Sequence, residues 1–286
     1  MAKAVTNSLT KKRRRVSDIV LKALIFLSSG IVVALTLGMI IYIAVKGTDG
    51  MSLNFLTTPA FSYPYENYGV LGNIINTLYL VVITLIIATP VGVGAAIYLT
   101  EYAKQGRLTR IIEFTTETLA GIPSIIYGLF GMLFFVTALK WQYSILAGAA
   151  TVAIMVLPTI MRTTEEALLA VPDSFREASL ALGAGKIRTI FKIVLPSAMP
   201  GILSGVILAI GRMVGETAAL LYTSGAVASV AKGVMSPGRT LAVHMYTISS
   251  EAFHTNQTFA TAVVLLVIVF ILNALASFVA KKLTKK

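Results

Sequence analysis

Six long apolar stretches punctuate the chain, near positions 23–45, 72–99, 119–139, 144–161, 199–222 and 259–280, with polar and basic segments between them. A helix crossing the hydrocarbon core needs roughly 20 apolar residues, within a range of about 17 to 25. Each stretch meets that length, the fourth narrowly, because Thr151 and Pro158 dilute a short run. The pattern predicts an all-α membrane protein with six transmembrane helices, since lipid tolerates only elements that satisfy their own backbone groups. Composition agrees: 56% of the 286 residues are hydrophobic and 13% are charged, and the mean hydropathy is +0.84. No single water-soluble core needs that much apolar surface.

The net charge of +12 would fit nucleic acid in a soluble chain, so the position of the charges decides its meaning. Seven Lys and Arg precede the first stretch, including Lys11, Lys12, Arg13, Arg14 and Arg15; three lie in 100–118, five in 162–198 and four at the C-terminus. The alternate loops hold only Lys46, Lys140, Lys232 and Arg239. The positive-inside rule then places both termini in the cytoplasm, and the basic segments lie beside anionic lipid with no nucleic acid required. The expected organisation is a basic N-terminal segment 1–22, a membrane domain 23–280 containing the loop 162–198, and a basic tail 281–286. The first stretch is too long for the apolar core of a signal peptide and lacks a small-residue cleavage site, which makes it an anchor.

Without cysteine, thiolate metal sites, disulfides and cysteine nucleophiles are excluded. His244 and His254 stand ten apart with no convergent ligand set, and are expected to be solvated loop residues rather than a metal site. Gly183, Ala184, Gly185 and Lys186 resemble the end of a phosphate-binding loop, but Leu180 occupies the first glycine position and Ile187 the Mg²⁺-binding hydroxyl position, so no ATPase site is expected here. Gly128 and Gly131, Gly201 and Gly205, and Gly211 and Gly215 recur at helical spacing, a packing signal in lipid. The loop 46–71 is rich in aromatics, among them Phe55, Phe61, Tyr63, Tyr65 and Tyr68 with Pro59 and Pro64, suited to the interface or to a partner protein. In the segment 223–258, Leu241, Met245, Tyr246 and Ile248 fall at helical spacing.

The loop 162–198 is patterned beyond what a linker requires. Pro172 opens a helix whose Phe175, Ala178, Ser179 and Leu182 share a face, Gly183 ends it, and Ile187, Ile190, Phe191 and Val194 form a second apolar face. Such stripes fit an amphipathic hairpin on lipid or a protein partner. Glu177, Ala178 and Ser179, then Gly183, then Ile193, Leu195 and Pro196 reproduce the spacing of the EAA loop of ABC importer permeases, with Ser179 where that pattern has its second alanine. The resemblance implies the type I ABC importer permease fold and a loop that couples to a separate ATPase, with ATP and Mg²⁺ bound on that partner and no cofactor on this chain.

Arg212 and Glu216 fall inside the fifth stretch, where each charge costs roughly 2.5–3.5 kcal/mol on insertion scales. Spaced four apart, they share a helix face with Gly205, Ala209, Ala219 and Thr223, where Glu216 would hold Arg212 as an ion pair. That face reads either as a pathway lining, in which the Arg212 fork suits an oxyanion, or as a structural pair fixing a helix interface. Asn73 and Asn76, with Thr77, could line the outer mouth or bond a neighbouring helix. The run from Gly211 through Glu216 to Thr223 is similar to a segment of phosphate-specific ABC importer permeases of the PstA type, with Ala219 where that family usually has proline and Tyr222 for Phe. Together with Val171, Pro172 and Arg176, this resemblance implies an inner-membrane phosphate permease. Its implied partners are a PstC-like second permease, two ATPase subunits and an extracytoplasmic phosphate-binding protein. A homodimer, a sulfate or molybdate permease, a stand-alone channel and a membrane enzyme are the competing readings.

Overall fold

A computed structural model describes residues 16–60, 69–104, 106–250 and 255–284. The basic run Lys11 to Arg15, the aromatics Phe61, Tyr63, Tyr65 and Tyr68, Pro64, and His254 lie outside the described residues. The chain divides into two units, Met1–Lys46 and Gly47–Lys286. Among its described residues the first carries α1 (Val16–Gly47), apolar on every face, with Phe26, Leu35, Met39 and other large apolar side chains exposed. A helix greasy all round is one whose solvent is lipid.

The second unit is a bundle. After a short α2 (Leu53–Thr57), capped by the Ser52 hydroxyl on the Phe55 N–H, α3 (Leu71–Ile97) continues through a wider π turn, Tyr98–Tyr102. Next come α4 (Arg107–Ala120) and α5 (Ser124–Gly131), the latter extended by a π turn, Met132–Ala138. Ser144 caps α6 (Ile145–Leu169) by accepting from the Ala147 N–H. Then follow α7 (Asp173–Ala181), α8 (Lys186–Thr189) with a π turn Ile190–Val194, α9 (Leu195–Val214), α10 (Ala218–Leu221), α11 (Leu241–Ser250) and α12 (Thr255–Thr284).

Among the described residues, five helical runs are long and apolar enough to cross a membrane, and a sixth crossing requires α4 and α5 together. These two meet at 104°, which corrects the continuous third span expected at 119–139. Gly121 stops α4, and Pro123, lacking an N–H and disfavouring a helical residue before it, allows only a fresh start at Ser124. The fifth span also differs. It begins at Lys186, well before position 199, and ends at Val214, so 215–222 is a break followed by a four-residue helix.

The fourth span, marginal by hydropathy, is the centre of the bundle. In its most apolar window 67% of residues are enclosed, against 6% for α12. Leu80 and Ala88 of α3, Val152, Met155 and Ile160 of α6, and Ala209 and Met213 of α9 form one core. Small residues permit the approach: a side chain at Gly205 would overlap Thr163 of α6, and one at Gly131 would overlap Thr151 and Thr223. Gly211 faces open space, so its spacing with Gly215 does not mark a contact within this chain.

Candidate functional site

The end of α9 is where the expected charged pair comes apart. Gly215 closes the helix, and the backbone turns before Glu216, so the four-residue spacing no longer places the two side chains on one face. Arg212 is exposed on this chain. Glu216 is 8% exposed and accepts a 3.0 Å bond from the Ala219 N–H, capping α10 with a carboxylate where the helix leaves N–H groups free. Among the described residues, no ion pair joins Arg212 to Glu216. The charge of Arg212 instead lies within electrostatic reach of Tyr127. The Tyr127 hydroxyl donates to the Leu119 carbonyl at 2.6 Å, across the bend between α4 and α5.

The other expected pathway residues are enclosed within the chain. Thr223 is fully buried and donates to the Ala219 carbonyl at 2.7 Å. Asn76 fastens the segment before α11: its amide donates to the carbonyls of Ser229 at 3.1 Å and Arg239 at 3.2 Å, and its oxygen accepts from the Ala231 N–H at 2.9 Å. Thr77 accepts from the Leu241 N–H at 3.0 Å, positioning the start of α11. Asn73 is equally buried, with neither side-chain polar atom hydrogen-bonded among the described residues. The lining face projected on the fifth span is therefore divided: Arg212 is exposed, whereas Glu216 and Thr223 are enclosed.

His244 corrects a second expectation. It lies inside α11, 3% exposed, with no hydrogen bond to either ring nitrogen among the described residues. Burial, then the neighbouring Arg239 charge, lowers its pKa from 6.5 to about 3.

The loop 162–198 forms the hairpin its pattern predicts. Pro172 precedes α7, and Gly183 turns the chain at φ +83°, a left-handed conformation that favours glycine. Phe175, Ala178, Ser179 and Leu182 line one side of an open groove of ≈ 490 Å³, and Lys192, Ile193, Pro196 and Ser197 the other. Glu177 and Gly183 are exposed, Ile193 and Leu195 are half-buried, and Leu195 and Pro196 open α9. Leu182 is 89% exposed. Ile190 and Val194 turn inward while Ile187 and Phe191 remain outside. Ser179 uses the hydroxyl that distinguishes it from alanine: it bonds the Thr189 hydroxyl at 2.8 Å in a buried contact that ties α7 to α8.

The sequence did not reveal how this hairpin is held to the bundle. Arg176 bonds Glu101 at 3.1 and 2.8 Å, the carbonyls of Val171 and Leu168 at 2.8 and 2.9 Å, and Asp173 at 3.1 Å. The only local signal was an acid closing the second apolar stretch and an arginine 75 positions later.

Residues 88–285 match the family described as binding-protein-dependent transport system inner membrane component. The chain belongs to that family. It is 33% identical over 291 residues to the probable ABC transporter permease protein YqgI of Bacillus subtilis, spanning 95% of this chain and 99% of that one. It is 37% identical over 239 residues to the phosphate transport system permease protein PstA of Yersinia pestis, covering 83% and 81% of the two chains. With PstA 1 of Mycobacterium tuberculosis the identity is 37% over 214 residues, 74% of this chain and 70% of the other. Among solved structures, a chain of a bacterial alginate ABC transporter superimposes with a TM-score of 0.67 at 14% identity, covering 94% of this chain and 96% of that one. A chain of the MetNI methionine ABC transporter gives 0.60 at 21%, covering 76% and 94%. These likenesses establish the ABC importer permease fold. The permease is a multi-pass inner-membrane transport component rather than an enzyme, and its family works with an ATPase and a binding protein.

Proposed function

We propose that this permease is the PstA-type half of the membrane pathway in an ATP-driven phosphate importer. One observation carries the reading: Arg212 ends an apolar span as an exposed guanidinium with no ion pair among the described residues. A charge in that setting needs compensation from outside the chain. A passing phosphate, bonded in the two-pronged geometry that suits guanidinium, supplies it transiently. Because Glu216 is committed to the α10 backbone, it does not compete for the cation. The relatives named as phosphate permeases favour phosphate over sulfate or molybdate.

The pathway is completed by a PstC-like second permease subunit. Two ATPase copies, holding ATP and Mg²⁺, dock against the exposed face of the 162–198 hairpin around Glu177, Ala178 and Gly183, and a phosphate-binding protein delivers substrate from the opposite side. Both termini are then cytoplasmic. ATPase closure moves the hairpin, and the surroundings of Arg212 open alternately to the two sides.

The test is phosphate uptake by proteoliposomes containing the assembled complex. Losing a charged hydrogen-bonding partner costs about 1.5–3 kcal/mol, so Arg212→Ala lowers uptake efficiency by roughly 10- to 150-fold, with the ATPase still copurifying. Unimpaired uptake in that variant rejects the pathway role. Preference of the unaltered complex for sulfate or molybdate rejects phosphate as substrate, and copurification with a second copy of this chain in place of a different permease rejects the paired assembly.

A further inference from the structure

The helix α3 with its π turn runs as one helical segment from Leu71 to Tyr102, 32 residues with Pro90 inside it, or roughly 48 Å at 1.5 Å per residue. Both ends are fastened to other parts of the chain by specific polar contacts. At one end, Glu101 is bonded by Arg176 of α7, with 8% and 19% of their side chains exposed. The next residue, Tyr102, lies under the Lys186 ammonium of α8, 4.7 Å from the ring centre. Two adjacent residues thus grip both halves of the hairpin, which the Ser179–Thr189 bond joins together. Ala96 and Leu99 of α3 and its π turn pack in one core with Leu168, Val171 and Val194, so the grip is backed by apolar contact. At the other end, Asn76 and Thr77 hold the backbone of Ser229, Ala231, Arg239 and Leu241.

Two covalent routes also join the hairpin to that distant segment. Backward along the chain, α6 reaches it through the Leu146 N–H on the Val234 carbonyl at 2.8 Å and the Ile145 N–H on the Ser236 carbonyl at 3.0 Å; the forward route through α9 is less direct, because α9 stops at Val214 before the turn at Glu216 and the short α10. An interrupted helix absorbs a displacement where a continuous one delivers it. The π turn at Tyr98–Tyr102 lies at the gripped end, a geometry that recurs at functional positions in helices.

Resting on the reading that the hairpin docks on an ATPase, we infer that α3 is the rod that carries hairpin movement to the 225–240 segment. Arg176 and Glu101 are the positioning pair at its driven end, and Asn76 and Thr77 hold its load. Arg176 suits the task because its planar fork serves a carboxylate and two carbonyls simultaneously, which a lysine ammonium cannot reproduce. Glu101→Gln keeps the shape and removes the charge.

The absence of cysteine makes the experiment direct. Ser229→Cys, at an exposed position whose carbonyl accepts from Asn76, is labelled with a nitroxide in the complex with its ATPase and binding protein, and spectra are recorded with and without ATP, Mg²⁺ and vanadate. The inference requires a nucleotide-dependent spectral change in the otherwise unaltered chain. It also requires at least a threefold smaller change in Glu101→Gln and in Arg176→Lys, and at least a threefold fall in phosphate carried per ATP hydrolysed. The nucleotide-free spectrum and the copurified ATPase remain as before, which a merely structural role for the pair would not predict. An unchanged nucleotide response in either assembled variant overturns the inference while leaving the proposed function intact. So does the absence of any response at position 229 in the unaltered chain, a measurement that stands even if both variants fail to assemble. An unaltered chain that brings down no ATPase rejects the proposed function and the inference with it.

Discussion

Asn76→Ala removes three bonds to the backbone, the buried ones to Arg239 and Ala231 and a part-buried one to Ser229, while leaving α3 a good helix. The Arg239 carbonyl and the Ala231 N–H are left in enclosed sites, a penalty of about 1–3 kcal/mol each when nothing replaces the partner. Water entering the vacated space recovers part of this, which leaves a net weakening of about 3 kcal/mol for local opening of the 225–240 segment. That corresponds to roughly a hundredfold increase in the open population. Amide hydrogen exchange followed by mass spectrometry on the detergent-solubilised protein reads it out, because exchange reports local opening. The Ala231 N–H is the most direct probe, since its acceptor is the deleted side chain. The Arg239 N–H, bonded to the Val227 carbonyl at 2.9 Å, reports on the same segment. Peptides within α6 serve as the unaffected reference. Exchange across 226–240 within threefold of the unaltered protein would refute the assignment of Asn76 as the anchor.

His244 makes stability pH-dependent: with a folded-state pKa of about 3 against an ordinary 6.5, the unfolded chain takes up the proton first. Its contribution is whole above about pH 6.5 and declines as the pH falls towards 3, reaching a loss of roughly 2 kcal/mol at pH 5. Thermal melts at pH 7.5 and pH 5 should therefore differ less in His244→Leu than in the unaltered protein; an equal difference refutes the assignment. Gly205→Ala forces a methyl group onto Thr163 and should cost about 1–3 kcal/mol, whereas Gly211→Ala meets nothing within 4 Å. Melting temperatures that fall equally in both variants would contradict the packing described.

The long spans were legible as apolar runs because the length of such a run is set by bilayer thickness, and the hairpin was legible because Pro172, Gly183 and two helical stripes mark its parts. Hydropathy found α6 but ranked it weakest because it measures preference for lipid, whereas this helix faces protein, where Thr151 can donate to the Ala147 carbonyl. It overlooked the break at Gly215 because Ala218 to Tyr222 keep the run apolar whatever the backbone does. Once that break was missed, the Arg212–Glu216 pair followed from a spacing that holds only along an unbroken helix. The bend at Gly121 to Pro123 was written in residues that stop and restart helices. The burial of His244 and the bond between Arg176 and Glu101 carried no comparable signal, since both depend on elements far apart in the chain.

The inverse order of greasiness and enclosure has a consequence for biogenesis. The most apolar helices, α1 and α12, can enter the bilayer alone as they leave the insertion machinery, whereas α6 is the least apolar of the five long spans. During synthesis α6 emerges after α3 and α5 but before α9, so it gains stability in the bilayer first from the neighbours already there. Mutations that weaken the contact of α6 with α3 therefore act on the yield of inserted protein as well as on the finished transporter.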